Sequence, residues 1–236
     1  MSRTMDRAFD LVMFDLDGTL VATAPEIHDA VNDTLRRFDL PAVDESRTEA
    51  WIGNGTTELL AEAIAFASNS SKVIVRGGEG FVLACNEFGL NYRRRCGTRS
   101  QLYPHVAEVL TELRQRGVKL AVVTNKEERF THAVLNAHGL GPMLDRIIAG
   151  DSLPTRKPDP AGLLSCLAAF GVPASRSLFV GDSAIDVAAA RNAGLRVWAV
   201  PYGYNMGVPI ATARPDRLID DLRPLLSSAV APAEFP

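Results

Sequence analysis

The chain has 236 residues, 47% hydrophobic and 22% charged, the balance of a globular protein with room for one large domain or one domain plus an insert. Its 25 basic and 28 acidic side chains leave a formal net charge of -3, which excludes a global positive field for nucleic acid or an anionic membrane. Three scattered cysteines, Cys85, Cys96 and Cys166, form no C-x-x-C pair or Cys/His cluster, which argues against zinc and for small packing residues in a cytosolic setting.

The first element is the apolar run Asp10 to Asp15 (DLVMFD), a buried strand that ends in acid, glycine and threonine. The run before it is too short and too acidic for a signal peptide, and no stretch approaches the ~20 apolar residues of a membrane span. From about Pro25 to Arg95 the period is helical. Ala30, Val31, Leu35 and Phe38 mark one amphipathic helix; Leu59, Leu60, Ala63, Ile64 and Ala67 a second; Phe81, Val82, Cys85 and Phe88 a third. Ser68 to Ser71 and Gly77 to Gly80 read as breaks between them.

From Leu102 strands and helices alternate: strands at 118–123, 146–149, 177–180 and 195–200, helices at 127–138, 160–170 and 185–193. Such alternation implies parallel βαβ units with helices on both faces of the sheet. The expected fold is α/β, a doubly wound Rossmann-like parallel sheet with an all-helical cap inserted after the first strand. The core is residues 1–22 and 99–236 and the cap 23–98. The tail from Ser227 is expected to fray.

Ligands of open parallel sheets bind beyond the carboxyl ends of the strands, and four groups of reactive residues fall there. Asp15 and Asp17 lie in D-L-D-G-T; a turn alone would also use Asp and Gly, but the acid that completes a calcium loop is missing. Thr124 and Asn125 could donate to a phosphate oxygen or cap the next helix. Lys157 is set between fixed points, with Pro158 after it and Pro160 at the next helix start. Asp182 follows the strand 177–180, with Ser183 beside it and Asp186 further on; Asp182 or Ser183 also suits a helix cap. Carboxylates about 4 Å apart repel by roughly 4 kcal/mol at an effective dielectric near 20, so strand-end carboxylates gathered on one edge call for a cation. Hard oxygen donors beside a phosphate select Mg²⁺.

These motifs, DLDGT at Asp15, TN at Thr124, K-P at Lys157 and GDSxxD at Gly181, resemble those of haloacid dehalogenase (HAD) superfamily phosphatases with a helical cap. The strings LVATAPEI, WIGNGTTELL and PYGYNMG are similar to those of bacterial phosphoglycolate phosphatases. Ala22, His105 and Glu127 depart from that pattern, where Asp, Gly and Pro are usual. The resemblance implies Mg²⁺-dependent hydrolysis of a small phosphoester, 2-phosphoglycolate foremost. Asp15 would be the nucleophile, and Asp17 a general acid and base that starts protonated with the help of neighbouring carboxylates. Lys157, Thr124 and Asn125 would hold the phosphoryl group. The metal would lie on the Asp15 carboxylate, the Asp17 backbone carbonyl and the Asp182 carboxylate, supported by Asp186. Gly53, Asn54 and Gly55 are the cap residues expected nearest the substrate. Arg93, Arg94 and Arg95 suit a solvated helix end better than a substrate contact, and Trp51 and Trp198 suit packing anchors. A hexose-phosphate mutase, a pyrophosphatase, a dehalogenase and a catalytically silent binding protein are the competing readings. A cytoplasmic monomer or homodimer with no nucleic-acid or membrane partner is expected.

Overall fold

The computed structural model describes residues 8–227. The DLVMF run forms β1 (Leu11–Phe14), and β2 (Val21–Ala22) follows one turn later. Five helices come next: α1 (Ala24–Arg37), α2 (Glu45–Trp51), α3 (Thr56–Ala67), α4 (Lys72–Gly77) and α5 (Gly80–Arg95). β3 (Gln101–Leu102) then pairs antiparallel with β2, so the chain leaves and re-enters the sheet region through one short ribbon. The remainder alternates as expected: α6 (Val106–Gln115), β4 (Lys119–Val123), α7 (Glu128–Ala137), β5 (Arg146–Ile148), α8 (Ala161–Phe170), β6 (Ser177–Gly181), α9 (Ala184–Asn192), β7 (Arg196–Ala199) and β8 (Arg217–Leu218).

Six strands form one parallel sheet in the order β5-β4-β1-β6-β7-β8. Side chains alternate between its faces, as the pleat requires. Val12, Phe14, Leu120 and Val122 pack with Val109 and Leu110 of α6 and Val134 of α7. Leu11, Met13, Ala121 and Val123 pack on the other face with Leu163 of α8 and Val187 of α9. Both faces are covered, so the doubly wound reading holds. The chain order runs outward from β1 to β5, then returns to β6 on the other side of β1. The carboxyl ends of β4, β1 and β6 therefore lie side by side at the point of reversal, where such sheets bind ligands.

The helical segment has its own apolar cluster, with Ile27, Val31 and Leu35 of α1, Leu59 and Leu60 of α3, and Phe88 and Tyr92 of α5. Phe130 of α7 and Tyr204 join it from the sheet side, so the cluster crosses the boundary between the two parts. The break expected at Ser68 to Ser71 lies between α3 and α4, with the Ser71 hydroxyl capping α4, whereas the break expected at Gly77 to Gly80 narrows to Gly78 and Glu79, since Gly77 ends α4 and Gly80 begins α5. β8 went unread because a two-residue edge strand carries no periodicity. Trp198 is buried edge-on to Phe9, and Trp51 packs beside Phe66. All three cysteines are free and at least half-buried. Beyond Ser227 the tail lies outside the described residues. No described helix is long and apolar enough to cross a membrane.

Leu120 is fully buried at the centre of the sheet. Leu120→Ala is expected to lower unfolding stability by about 2–5 kcal/mol, the range for a deleted core leucine. Urea denaturation checks this through a lower midpoint at an unchanged slope.

Candidate active site

Each sheet strand that lies at the reversal point delivers one polar group. Asp15 follows β1, its amide donating to Val180 O at 2.9 Å, so the ladder with β6 extends to the residue that carries the carboxylate. Thr124 follows β4 and is likewise tied, N to Ile148 O at 2.9 Å. Asp182 follows β6. Lys157 comes from the loop before α8, and its peptide bond to Pro158 is cis. Asp15, Thr124, Asn125, Lys157, Asp182 and Asp186 are all buried. The sequence pattern places them on one edge, and the structure brings them together.

Lys157 Nζ stands 2.8 Å from Asp15 Oδ1 and 2.7 Å from Asp186 Oδ1. Toward Asp186 it donates an aligned hydrogen bond; toward Asp15 it makes a charge contact without that alignment, and Asp15 Oδ1 has no hydrogen-bond donor among the described residues. Asp15, Asp182 and Asp186 each present a carboxylate oxygen within 4.8 Å of the others. Burial pushes the Asp15 carboxyl up from 3.8 to about 6, against the pull of Lys157. Burial also raises Asp182 well above the carboxylate range, reinforced by the Asp186 and Asp15 charges. Burial works against the Lys157 ammonium too, but Asp15 and Asp186 outweigh it and the lysine holds its proton more firmly than usual. One ammonium among three dry carboxylates leaves an excess of negative charge, the donor set of a hard cation. The residues present fit Mg²⁺.

The carboxylates are held in place by specific partners. Asp182 Oδ1 accepts from the Thr19 hydroxyl at 2.6 Å and Oδ2 from the Tyr204 amide at 2.6 Å. Asp186 Oδ2 accepts from the Asp182 and Ser183 amides and the Ser183 hydroxyl, at 3.2, 3.0 and 2.6 Å. Ser183 and Asp186 thereby form the capping box of α9, so the capping reading and the site reading hold together. With Oδ1 on Lys157 and Oδ2 on three donors, Asp186 acts as a support. Gly18, at φ 86°, packs so closely on Asp182 that a Cβ would collide with its carboxylate.

Asp17 has a different environment from the one expected. Its oxygens face the Lys126 ammonium at 2.9 and 3.0 Å, and Oδ1 also accepts from the Thr23 hydroxyl at 2.7 Å. The nearest charge is a cation, where neighbouring carboxylates were expected. Asn125 also differs: its amide nitrogen donates to Gly53 O and Lys157 O, both at 3.0 Å. That side chain ties the helical segment and the lysine loop to β4 instead of offering its N–H groups to a phosphate. Thr124 keeps its role open, since its hydroxyl accepts from the Lys126 amide at 3.3 Å, makes no donated bond among the described residues, and belongs to a residue that lines the cavity.

The cavity is lined by Asp15, Asp17, Thr124, Lys126, Asp182 and, from the helical segment, Gly53, Gly55 and Thr56, with an apolar wall of Ile27, Ile52 and Leu59. It offers about 40 Å³ to the centre of a water molecule, space for a few waters. Asn54 does not line it and instead points its amide at Met206 Sδ, 3.7 Å away. Arg95 pairs with Asp29 and Asp33, and Arg93 and Arg94 are exposed, so none of the three reaches the cavity. The histidines make local contacts, among them His105 with Glu108 and His138 with Ser100. Lys126, Thr23 and Tyr204 went unread in the sequence; T-N-K carried a hint in a lysine two residues past a strand-end threonine.

Residues 12–200 match the model of the family described as haloacid dehalogenase-like hydrolase. The chain belongs to that family. It is 40% identical over 220 residues to a phosphoglycolate phosphatase of Pasteurella multocida, covering 93% of this chain and 97% of that protein. A phosphoglycolate phosphatase of Pseudomonas syringae pv. tomato is 42% identical over 220 residues, covering 92% and 78%. Among solved structures, a predicted phosphoglycolate phosphatase from Haemophilus somnus superposes with a TM-score of 0.87 at 37% identity, covering 93% of this chain and 97% of that one. The resemblance to haloacid dehalogenase-type phosphatases and the expected fold are borne out.

The raised Asp15 carboxyl sets a pH dependence. Between about pH 4 and 6 the metal-free folded protein binds more protons than the unfolded chain, so this group makes stability fall as pH rises through that window. A divalent ion competes with those protons. Mg²⁺ is therefore expected to raise the Tm by several degrees at pH 7.5 and by much less at pH 5. Thermal melts with and without Mg²⁺ check this, and a larger shift at pH 5 would contradict it.

Proposed function

We propose that this hydrolase releases inorganic phosphate from a small phosphate monoester through a covalent aspartyl-phosphate on Asp15, and that 2-phosphoglycolate is its substrate. The observation that carries the reading is the contact of a buried, strand-held Asp15 with Lys157 and its neighbour Asp182. The coarser statement, a phosphatase of the haloacid dehalogenase type, rests on the family and on relatives near 40% identity. The finer one, the substrate, is carried by those relatives' names.

A Mg²⁺ ion would be held by the Asp15 and Asp182 carboxylates and the Asp17 backbone carbonyl, and would neutralise charge on the phosphoryl oxygens. Asp15 attacks phosphorus through a carboxylate oxygen while the bond to the ester oxygen breaks. A protonated Asp17 gives its proton to that departing oxygen. Water then attacks the same phosphorus, Asp17 accepts its proton, and the Asp15–phosphate bond breaks to release phosphate. Lys157 orients Asp15 and offsets charge on the phosphoryl group, and the Thr124 hydroxyl donates to one of its oxygens. The ion pair between Lys126 and Asp17 suits the second half, in which Asp17 begins ionised. The helical segment, 23–98, acts as a cap over the reaction, with Gly53, Gly55 and Thr56 facing the leaving group. The enzyme works in the cytoplasm, as a monomer or homodimer.

Two variants test the assignment by phosphate release. Asp15→Asn is expected to abolish turnover while leaving the melting transition cooperative. Lys157→Ala is expected to lower kcat by about 100-fold or more, on the scale of a lost electrostatic donor. A change confined to KM would reduce Lys157 to a binding group.

A further inference from the structure

We propose, resting on the hydrolase reading above, that Lys126 is the specificity-determining residue that reads a negative charge on the leaving group. The two buried ammonium groups near Asp15 and Asp17 have different commitments. Lys157 is shared between two carboxylates, Asp15 and Asp186. Lys126 serves one, Asp17, and it lines the cavity itself. Its side chain is 2% exposed, and its Nζ lies 4.7 Å from the centre of the Tyr92 ring. Among the described residues Lys126 is the cationic side chain in the cavity wall.

An ammonium has three N–H donors. Those of Lys126 meet Asp17 Oδ1 and Oδ2, and besides the Tyr92 ring no third acceptor is present among the described residues. A ligand carboxylate in the cavity would be a stronger partner for the remaining donor than the ring face. The leaving oxygen has to meet Asp17 to receive its proton, which puts the atoms attached to that oxygen beside Lys126. In 2-phosphoglycolate the carboxylate is one carbon away from the ester oxygen, within reach of an ammonium that already touches Asp17. The rest of the leaving-group wall is apolar (Ile27, Ile52, Leu59), backbone, or uncharged hydroxyls already engaged elsewhere, Thr56 on Glu127 and Tyr204 on the Ala24 amide, so an anion there has Lys126 as its counter-charge. A neutral leaving group of the same size offers this ammonium an uncharged acceptor at best, a weaker bond than a carboxylate makes, which costs recognition. The substrate class is thus a phosphate ester whose alcohol carries a carboxylate on the adjacent carbon.

The test compares 2-phosphoglycolate with its neutral carboxamide, 2-phosphoglycolamide, on wild type and Lys126→Met, with Mg²⁺ present. Wild type is expected to favour the carboxylate in kcat/KM by about 30-fold or more, the scale of a lost member of a buried charge pair. Lys126→Met is expected to lose activity on both esters, since Asp17 loses its partner, but to bring their ratio to within about threefold. Lys126→Arg is expected to keep a preference for the carboxylate. Equal use of the two esters by wild type, or an unchanged ratio in Lys126→Met, would overturn the proposal; the first needs no variant to fold. Turnover of p-nitrophenyl phosphate without any carboxylate preference would sink the role of Lys126 alone. Absence of turnover on every ester would overturn the hydrolase reading and this one with it.

Discussion

The site depends on one buried ammonium, Lys157, placed between Asp15 and Asp186. Three carboxylates gathered within 4.8 Å repel one another, and burial removes the solvent that would screen them. Lys157 offsets part of that charge and links the end of β1, the first turn of α9 and the loop before α8. The rest of the arrangement serves to hold these groups where repulsion would otherwise part them. Thr19 and the Tyr204 amide hold Asp182, the α9 capping box holds Asp186, and the bare Gly18 makes room for Asp182 to approach. The charge left over after Lys157 is what fits the centre to a divalent ion in the mechanism proposed above.

The cap segment is fastened to this centre by polar ties as well as by packing. Asn125 donates to Gly53 O, and Glu127 accepts from the Thr56 hydroxyl, so the first and third residues after Thr124 both reach across to the cap segment. At the stem, the buried Glu26 carboxylate accepts the amides of Gly97, Arg99 and Ser100 and binds the outgoing chain to the returning one. The Tyr204 hydroxyl accepts the first amide of α1, while its own amide serves Asp182. Of the three departures from the family pattern, Glu127 thus has a cap contact. His105 occupies a left-handed conformation, φ 66°, which accounts for glycine being usual there. Nothing in the structure explains Ala22, which pairs with Gln101 in the stem ribbon.

Much of this was legible because it is local. The apolar runs and the helical period gave the sheet, the helices and the inserted segment, and strand-end acids are visible one residue past each run. Asp15, Asp182 and Lys157 could be grouped by the rule that places ligands at carboxyl ends of strands. What escaped was contact between residues far apart in the chain. Lys126 meets Asp17 across 109 positions and Tyr204 meets Asp182 across 22, and no period or motif records such pairs. Asn125 shows the complementary error: its position was right, but a strand-end amide can serve a ligand or a neighbouring backbone with equal ease. Asn54 lies between two cavity-lining glycines yet points away, since a loop residue's direction is set by tertiary contacts.

The central claim is that Asp15 is the group that takes the phosphoryl. Its direct measurement is acid quenching during turnover of 2-phosphoglycolate with Mg²⁺, followed by borohydride reduction and peptide mass spectrometry. The account predicts reduction at Asp15, lost when substrate is omitted. Steady phosphate release with Asp15 unmodified, or with the mark on another carboxylate, would contradict it.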